Sequence, residues 1–231
     1  VVDLEVSRDN VSAQLSDGRT VQARFAVLAT GMFAAARTPR LADDGLNTAA
    51  VDPWDVSAMR AIDPRGTVLI IGSGLTMVDT LVSLQQAGHR GPIEVFSRHG
   101  LWPHVRRQPP AWADFLEADP SLRSPLQLLR ALREQCRLAQ ARGIDWQAPL
   151  DTVRQHIARL WSQASDRERR QFVRHVRPWW ESHHHRSAPP GAALLQRLRD
   201  EGRLRIHAAS WQGVDAVEGE AVGILLRFRG Q

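Results

Sequence analysis

The sequence predicts an α/β fold in which a parallel sheet carries a long helical insertion and an antiparallel β-hairpin and meander. Three observations predict it. A strand, a glycine turn, a helix and a second strand follow one another between Thr67 and Gly100. Helical spacing of apolar residues fills most of 101–202. Alternating apolar and polar residues with turn signals occupy both ends of the chain.

The central unit begins with Thr67–Ile71, an unbroken aliphatic run that predicts a strand buried on both faces. Gly72-Ser73-Gly74 predicts a tight turn. From Leu75 the apolar residues take helical spacing, and Gly88 ends that helix. Ile93–Phe96 predicts the next strand, which leads into Ser97-Arg98.

The glycine turn predicts a nucleotide site. Gly72 and Gly74 match the first two glycines of G-x-G-x-x-G/A, and Met77 stands at the third small position. The glycines, Ser73 between them, and the N–H groups of Leu75 and Thr76 would hold a pyrophosphate at the helix N-terminus. The unit is therefore Rossmann-like. The structural alternative is a βαβ turn that binds nothing.

The end of the second strand favours NADP(H) over NAD(H). An acidic residue there would bond the ribose 2′-hydroxyl of NAD, whereas an arginine accommodates a 2′-phosphate. This strand ends in Ser97-Arg98, a hydroxyl and a planar fork of donors. Glu94 lies earlier and is interpreted as an exposed strand residue. The alternative is that Arg98 is one of many surface arginines.

Composition limits the class of protein. Of 231 residues 43% are hydrophobic and 24% are charged, which is ordinary for a globular chain. The net charge is +5 and the 30 basic residues are all arginine, spread beside acidic residues, which argues against nucleic-acid binding. Cys136 is the single cysteine and fits a packed position in a reducing, cytoplasmic protein. No stretch predicts a membrane span.

The ends of the chain are β-rich. Val1 to Leu28 predicts a three-armed meander, and Phe25–Ala29 predicts a fully apolar strand that enters Thr30-Gly31. Leu204 to His207 predicts the next parallel strand, and a hairpin is predicted over 213–229. The chain opens without Met in strand-like sequence, so we expect it to be an internal fragment of a longer protein.

Two motifs carry a resemblance to a known family. Phe25–Gly31 (FAVLATG) is similar to the A-T-G motif of flavoproteins with two dinucleotide-binding domains. Gly72-Ser73-Gly74 with Asp79 resembles the GxGxSAxD motif of flavin monooxygenases, with Thr76 and Met77 in place of Ser and Ala. The combination resembles bacterial FAD/NAD(P)-binding oxidoreductases that carry a long helical insertion.

The resemblance implies both cofactors and a domain plan. The meander and A-T-G strand, 1–31, would connect to an FAD domain, and 32–66 would be a linker in which Trp54 packs. The NAD(P) domain would span 67–231. Thr30 and Gly31 would lie where the chain passes between the two domains. FAD would be held mostly by segments outside this chain, which makes the rest of the flavoprotein its partner.

The helical insertion, 101–202, either shapes a substrate cleft or serves packing or oligomerisation. Ser124, Asp151 and Ser165 are predicted helix N-caps. Within Trp102–Arg107, Arg106 or Arg107 would add charge near a 2′-phosphate. Arg174–Arg186, which is rich in Trp, His and Arg, would line a pocket for an anionic or planar ligand or serve structural packing.

The expected function is that of the NADPH-binding region of a flavin-dependent oxidoreductase acting on an unidentified small molecule. NADPH would supply a hydride to FAD, so no catalytic residue is assigned in this chain. One alternative is a nucleotide-sensing or protein-interaction module without turnover. The other is a metal-dependent hydrolase that uses His183–His185, whose consecutive spacing is unlike that of known metal sites.

Overall fold

The chain divides into two units, Val1–Pro39 and Arg40–Gln231. A computed structural model describes it in five stretches: 1–27, 51–119, 121–122, 124–218 and 221–228. Within these stretches the protein is a mixed α/β structure with two sheets, one antiparallel and one mixed.

The first unit holds the predicted meander. Strands β1 (Asp3–Val6), β2 (Val11–Gln14) and β3 (Thr20–Ala23) pair antiparallel in that order. The strand predicted at 25–29 is wrong for its described residues, because Phe25 and Val27 lie outside any strand and are 79% and 89% exposed. An apolar run predicts a buried strand only when something covers it. The rest of this run, with Thr30 and Gly31, lies outside the described residues.

The second unit is built on a four-stranded sheet. Its strands β4 (Val68–Ile71), β5 (Ile93–Ser97), β6 (Leu204–Glu218) and β7 (Ala221–Phe228) pair in that order. The first three are parallel, and β7 pairs antiparallel with the distal part of β6. The predicted parallel strand and the predicted hairpin arm are therefore one long strand. Its hairpin half contains bulges between Trp211 and Gly213 and between Val214 and Val217.

The α-helices of the described residues all lie in the second unit. In chain order they are α1 (Val56–Ala61), α2 (Leu75–Gln86), α3 (Phe115–Ala118), α4 (Pro125–Ala141), α5 (Gln147–Val153), α6 (Ile157–Gln163), α7 (Asp166–Gln171), α8 (Arg177–His184) and α9 (Pro189–Asp200). A 3₁₀ turn, Arg154–His156, precedes α6, and a π-helical turn, Phe172–Val176, precedes α8.

The main core lies between one face of the sheet and helices α2 and α9. Its buried members come from α1, α2, β5, α9 and β6: Met59, Met77, Val78, Leu81, Leu84, Ile93, Val95, Leu194, Leu195, Leu198 and Leu204. Gly191 lets α9 approach α2 closely, because a Cβ there would lie 2.8 Å from Val78 Cγ1. Helix α9 is thus the crossover helix that returns the chain to β6, and the insertion ahead of it spans 101–188.

The exposure of one face of β4 contradicts the prediction that this strand is buried on both faces. Val68 and Ile70 pack against the core, but Leu69 and Ile71 are 38% and 52% exposed. Among the described residues no helix covers these two side chains, whereas a doubly wound sheet has helices on both faces. The apolar run predicted a strand correctly but could not specify what covers each face.

The structure corrects two further predictions, for Trp54 and Asp151, and shows one helix that was not predicted. The linker contains α1, whose N-cap Asp55 accepts hydrogen bonds from the backbone of Ser57 and Ala58. Trp54 does not pack this segment down, because it is 56% exposed. Asp151 is not an N-cap but lies inside α5, where its carboxylate binds Arg186.

The other predicted caps are confirmed. Ser124 and Ser165 each form a reciprocal capping box, with Gln127 and Glu168 respectively. The insertion has a small core of its own around Phe115, Leu116 and Val153. In the second unit it is therefore a packed helical layer rather than a long loop.

Candidate functional site

The glycine turn joins β4 to α2 at the carboxyl end of the sheet. Gly72 has φ +101°, a conformation that favours glycine, and its N–H donates to the Phe96 carbonyl at 2.9 Å. This bond ties the turn to the end of β5. Gly72 is therefore required by the backbone itself, whether or not a ligand binds.

Gly74 has no such requirement. Its φ and ψ of −83° and −164° are accessible to any residue, and a Cβ built there meets nothing within 4 Å. The fold would accept alanine at this position. A glycine that neither the backbone nor the packing needs leaves open space directly above the turn, where a ligand's phosphate could approach the main chain.

Helix α2 begins at this open space. Its N-cap is Gly74, which has no side chain to satisfy the first N–H groups, and no acidic residue lies in the first turn. Leu75 and Thr76 are exposed, and no described residue accepts a hydrogen bond from their N–H groups. The helix dipole adds a partial positive charge. The predicted residues Gly72, Ser73, Gly74, Leu75 and Thr76 thus form one turn with free donors.

Met77, at the position of the third small residue of the fingerprint, does not face this space. It is 2% exposed and belongs to the main core. The third glycine of the motif serves close packing between helix and strand. Here a buried methionine fills that place, so the departure from the motif changes the core and leaves the turn open.

The side chains of Ser73 and Ser97 connect the turn to the segment after β5. Their hydroxyl oxygens share a 2.7 Å hydrogen bond, and the Ser73 hydroxyl also donates to the Leu101 carbonyl. Ser97 Oγ accepts the Gly100 N–H at 3.1 Å. A carbonyl can only accept, so the single Ser73 proton goes to Leu101 and the Ser97 hydroxyl donates to Ser73. Ser97 therefore positions the turn and has no proton left for a phosphate.

Arg98 lies at the end of β5 and is a cation without a partner among the described residues. Its side chain is exposed, and no described residue forms a hydrogen bond or an ion pair with its guanidinium. Glu94 is already engaged, by Arg205 at 3.2 Å and by His207 Nε2 at 2.6 Å. Strand β5 is thus followed directly by the cation Arg98, whereas the carboxylate of Glu94 is already paired with Arg205 and His207.

The structure brings together the two stretches of the insertion in which the sequence predicts ligand contacts, Trp102–Arg107 and Arg174–Arg186. The backbone of His104 exchanges hydrogen bonds with Ser182 and Ser187, at 3.0 and 2.8 Å. The His104 and His183 rings then lie 4.4 Å apart between centroids. Trp146 packs edge-on against both rings, at 5.3 and 5.1 Å. The contact joins distant segments, so no local pattern could reveal it.

A buried polar network lies beneath these rings. The Arg186 side chain is 4% exposed, binds Asp151 and Gln147, and lies 5.9 Å from the Trp146 ring. Gln147 is 1% exposed and donates to the Val105 carbonyl at 2.8 Å. Sequence reasoning missed Trp146 and Gln147, because neither belongs to a motif.

The arginines expected to add charge near a 2′-phosphate differ in availability. Arg107 pairs with Asp145, and its N–H donates to Gln147 Oε1 at 3.0 Å. Arg106 is exposed, and among the described residues no side-chain partner is seen for it. Of the two, Arg106 is the cation that remains available.

The three consecutive histidines point in different directions. His183 Nδ1 lies 2.7 Å from the Trp179 carbonyl, His184 stacks on Trp180 at 4.7 Å, and His185 lies 3.5 Å from Glu181. Within the described stretches no group of three His, Cys, Asp or Glu side chains could hold a metal ion. Nothing in this arrangement supports the hydrolase alternative.

Burial, the neighbouring His183 and the charges of Arg107 and Arg186 lower the pKa of His104, against a smaller opposing effect of Asp145. Burial and the adjacent His185 lower the pKa of His184 as well. Burial raises the pKa of the Cys136 thiol, as expected of a packed cysteine. Burial and the neighbouring positive charges therefore both favour the neutral imidazole of His104.

No protein-family description, no curated protein and no solved structure matches this chain. Over the described residues, no helix has the length and apolar character needed to cross a membrane. A functional proposal for this chain therefore rests on the geometry of its own residues and on the motifs that they form.

Proposed function

We propose that the turn at residues 72–76 binds the pyrophosphate of NADPH, and that this chain is the NADPH-binding region of a flavin-dependent oxidoreductase. The observation that carries the proposal is Gly74. Neither its backbone angles nor its neighbours require glycine. A phosphate that approaches the free N–H groups of Leu75 and Thr76 would require it.

NADP(H) rather than NAD(H) is supported by Arg98 and Glu94. The guanidinium at the end of β5 is exposed and available, and a planar fork of donors matches a phosphomonoester. The carboxylate that could bond a ribose 2′-hydroxyl is held by Arg205 and His207. Ser97 contributes by fixing the turn through Ser73 rather than by contacting the phosphate.

The flavin part of the proposal rests on the resemblance of Phe25–Gly31 and of the glycine turn to flavoproteins with two dinucleotide-binding domains. NADPH supplies a hydride when bound, and FAD accepts it in that class of protein. This chain would bind and orient the nucleotide, and a Rossmann-like NAD(P) domain is the architecture we propose for the second unit. The intact protein would act in the cytoplasm on a small molecule.

Thermal unfolding with added nucleotide tests the nucleotide assignment. At a ligand concentration of 100 Kd, stabilisation of about 2.7 kcal/mol should raise Tm by roughly 5 to 10 °C. Arg98→Ala should weaken NADPH binding about 10- to 100-fold and leave NADH binding unchanged. Arg130→Ala, which removes an exposed arginine of α4, is the matched control. Equal responses to both nucleotides would exclude the NADP preference.

The flavin assignment needs the intact protein. Its visible spectrum should show bound flavin that bleaches on addition of NADPH. A colourless intact protein that still binds NADPH would instead identify a nucleotide sensor without turnover.

A further inference from the structure

We propose that His104 and His183 form a proton-coupled binding site for a phosphate monoester. The two rings lie 4.4 Å apart at the point where the loop after β5 meets the end of α8. Three ring nitrogens of the pair have no hydrogen-bond partner among the described residues: both of His104 and Nε2 of His183. A phosphate presents three acceptor oxygens, enough to bridge both rings.

The tautomer of His183 leaves Nε2 available. Its Nδ1 lies 2.7 Å from the Trp179 carbonyl, and a carbonyl can only accept, so Nδ1 carries the proton. Nε2 is then a bare lone pair in the neutral ring and becomes a donor on protonation. The pair therefore gains donors toward a ligand only by taking up protons.

The packing beneath the rings keeps them in place. Trp146 contacts both ring edges, and the buried Arg186 lies 5.9 Å from the Trp146 ring. Arg186 is in turn held by Asp151 and Gln147. Because buried residues already hold the two imidazoles side by side, ligand binding costs little conformational entropy of these side chains.

The charges around the pair favour an anion over a metal cation. Arg107 is paired with Asp145, and Arg186 with Asp151, so these four groups cancel in formal charge. The histidines add positive charge when protonated. Arg106 lies two residues from His104 in the sequence, Arg154 acts on His184, and His184 and His185 complete the titratable groups on the α8 side. The charges of Arg107 and Arg186 lower the pKa of His104, so a bound anion would favour protonation of its ring.

Two sources could supply the phosphate. The Leu101 carbonyl accepts the Ser73 hydroxyl of the glycine turn. His104 follows three residues later, within about 11 Å of Leu101 along an extended chain. A phosphate of the bound nucleotide could therefore reach the pair, and this source rests on the proposed function. A phosphorylated substrate could occupy the site independently.

Histidine NMR with inorganic phosphate tests the site without any nucleotide. At constant ionic strength, phosphate should raise the apparent pKa of His104 by about one unit, equivalent to tenfold tighter binding when His104 is protonated. The ring signals are assigned from His104→Asn and His183→Asn, each of which should weaken phosphate binding about 10- to 100-fold. His185→Asn, at the C-cap of α8, should change phosphate binding less than about twofold.

A conservative variant separates binding from support of the fold. His104→Arg should keep phosphate binding and lose its dependence on the titration of residue 104. Unchanged histidine titrations in phosphate, or wild-type phosphate affinity in both asparagine variants, would overturn the proposal. One equivalent of bound Zn²⁺ with no effect of phosphate would also overturn it.

Competition identifies the source. NADPH that displaces inorganic phosphate, when NADH does not, would place the nucleotide 2′-phosphate within reach of both Arg98 and the pair. Independent binding of NADPH and phosphate would support a phosphorylated substrate. Phosphate binding without any NADPH binding would support this site and exclude the proposed nucleotide function.

Discussion

The hydroxyl oxygens of Ser73 and Ser97 lie 2.7 Å apart and join the segments that follow β4 and β5. Ser73 is 8% exposed, and its hydroxyl donates its proton to the Leu101 carbonyl. The glycine turn, the end of β5 and the loop into the insertion are thus connected through one side chain. The hydrogen bonds of Ser73 hold these short loops together at the carboxyl end of the sheet.

Replacement of Ser73 should remove the contact that holds these loops together. We expect Ser73→Ala to lower the free energy of unfolding by about 1–3 kcal/mol, because Leu101 and Ser97 lose a buried partner. Urea denaturation measures the change. Ser57→Ala, at an exposed position of α1, is the control and should cost less than about 0.5 kcal/mol. Equal costs would show that the hydroxyl contact contributes nothing to stability.

The two glycines of the turn should respond differently to alanine. Gly72→Ala forces a side chain into a φ of +101° and should destabilise the protein by about 1–3 kcal/mol. Gly74→Ala should leave stability nearly unchanged and abolish the rise of Tm with NADPH. Thermal unfolding with and without nucleotide measures both effects. Full NADPH binding by Gly74→Ala would remove the main support for the proposed site.

The buried ion pair of Arg186 with Asp151 should contribute more to the free energy of unfolding than an exposed ion pair does. Arg186→Gln leaves Asp151 without its cation and removes one of the hydrogen bonds of Gln147. We expect a loss of about 2–3 kcal/mol, since Asp151 remains 38% exposed. Arg177→Gln breaks the exposed pair with Glu181 and should cost about 0.5 kcal/mol or less. Urea midpoints of the two variants compare them. A smaller loss for Arg186→Gln than for Arg177→Gln would contradict the role of the buried network.

Acid should weaken the insertion through Asp114. Burial opposes ionisation, but hydrogen bonds from His156 and from the N–H groups of Glu117 and Leu116 lower the pKa of Asp114 on balance. A carboxyl whose pKa is lower in the folded state stabilises the protein above its unfolded pKa, near 4. That stability is lost as the pH falls through the folded pKa.

Asp114→Asn keeps an N-cap but removes the charge. Its free energy of unfolding should therefore fall less steeply than that of the wild type below about pH 4. Unfolding monitored by circular dichroism between pH 2 and pH 6 measures the slope. Asp166→Asn, which changes an aspartate that is 80% exposed, is the matched control. Parallel curves for Asp114→Asn and the wild type would rule out this contribution.

Local features were predictable from the sequence. The strand, glycine turn and helix from Val68 to Gln86 follow from short-range periodicity, and the capping boxes at Ser124 and Ser165 follow from four-residue patterns. The parallel strand at Leu204 was also predicted correctly. Each of these depends on residues that are neighbours in the chain.

Contacts between distant segments were not predictable. Asp151 has the composition of an N-cap, but its carboxylate binds Arg186 from a different helix. The exposure of Ile71 depends on what covers the sheet, and no feature of the strand encodes that. The contact between His104 and His183 joins two stretches of the insertion that are far apart in the sequence. Sequence patterns identify such residues by type but not by partner.

The length of β6 has a consequence for the order in which the protein folds. Its distal half closes a hairpin with β7 across a very short connection, whereas its first half pairs with β5 through Glu94 and Arg205, which are 111 residues apart. Short loops close at a lower entropic cost, so we expect the hairpin to form first and the parallel ladder afterwards. In stopped-flow kinetics, Leu226→Ala should then slow refolding, whereas Ile93→Val should mainly accelerate unfolding. The glycine turn at the carboxyl end of the parallel strands, where we propose that the nucleotide binds, would be among the last parts of the second unit to assemble.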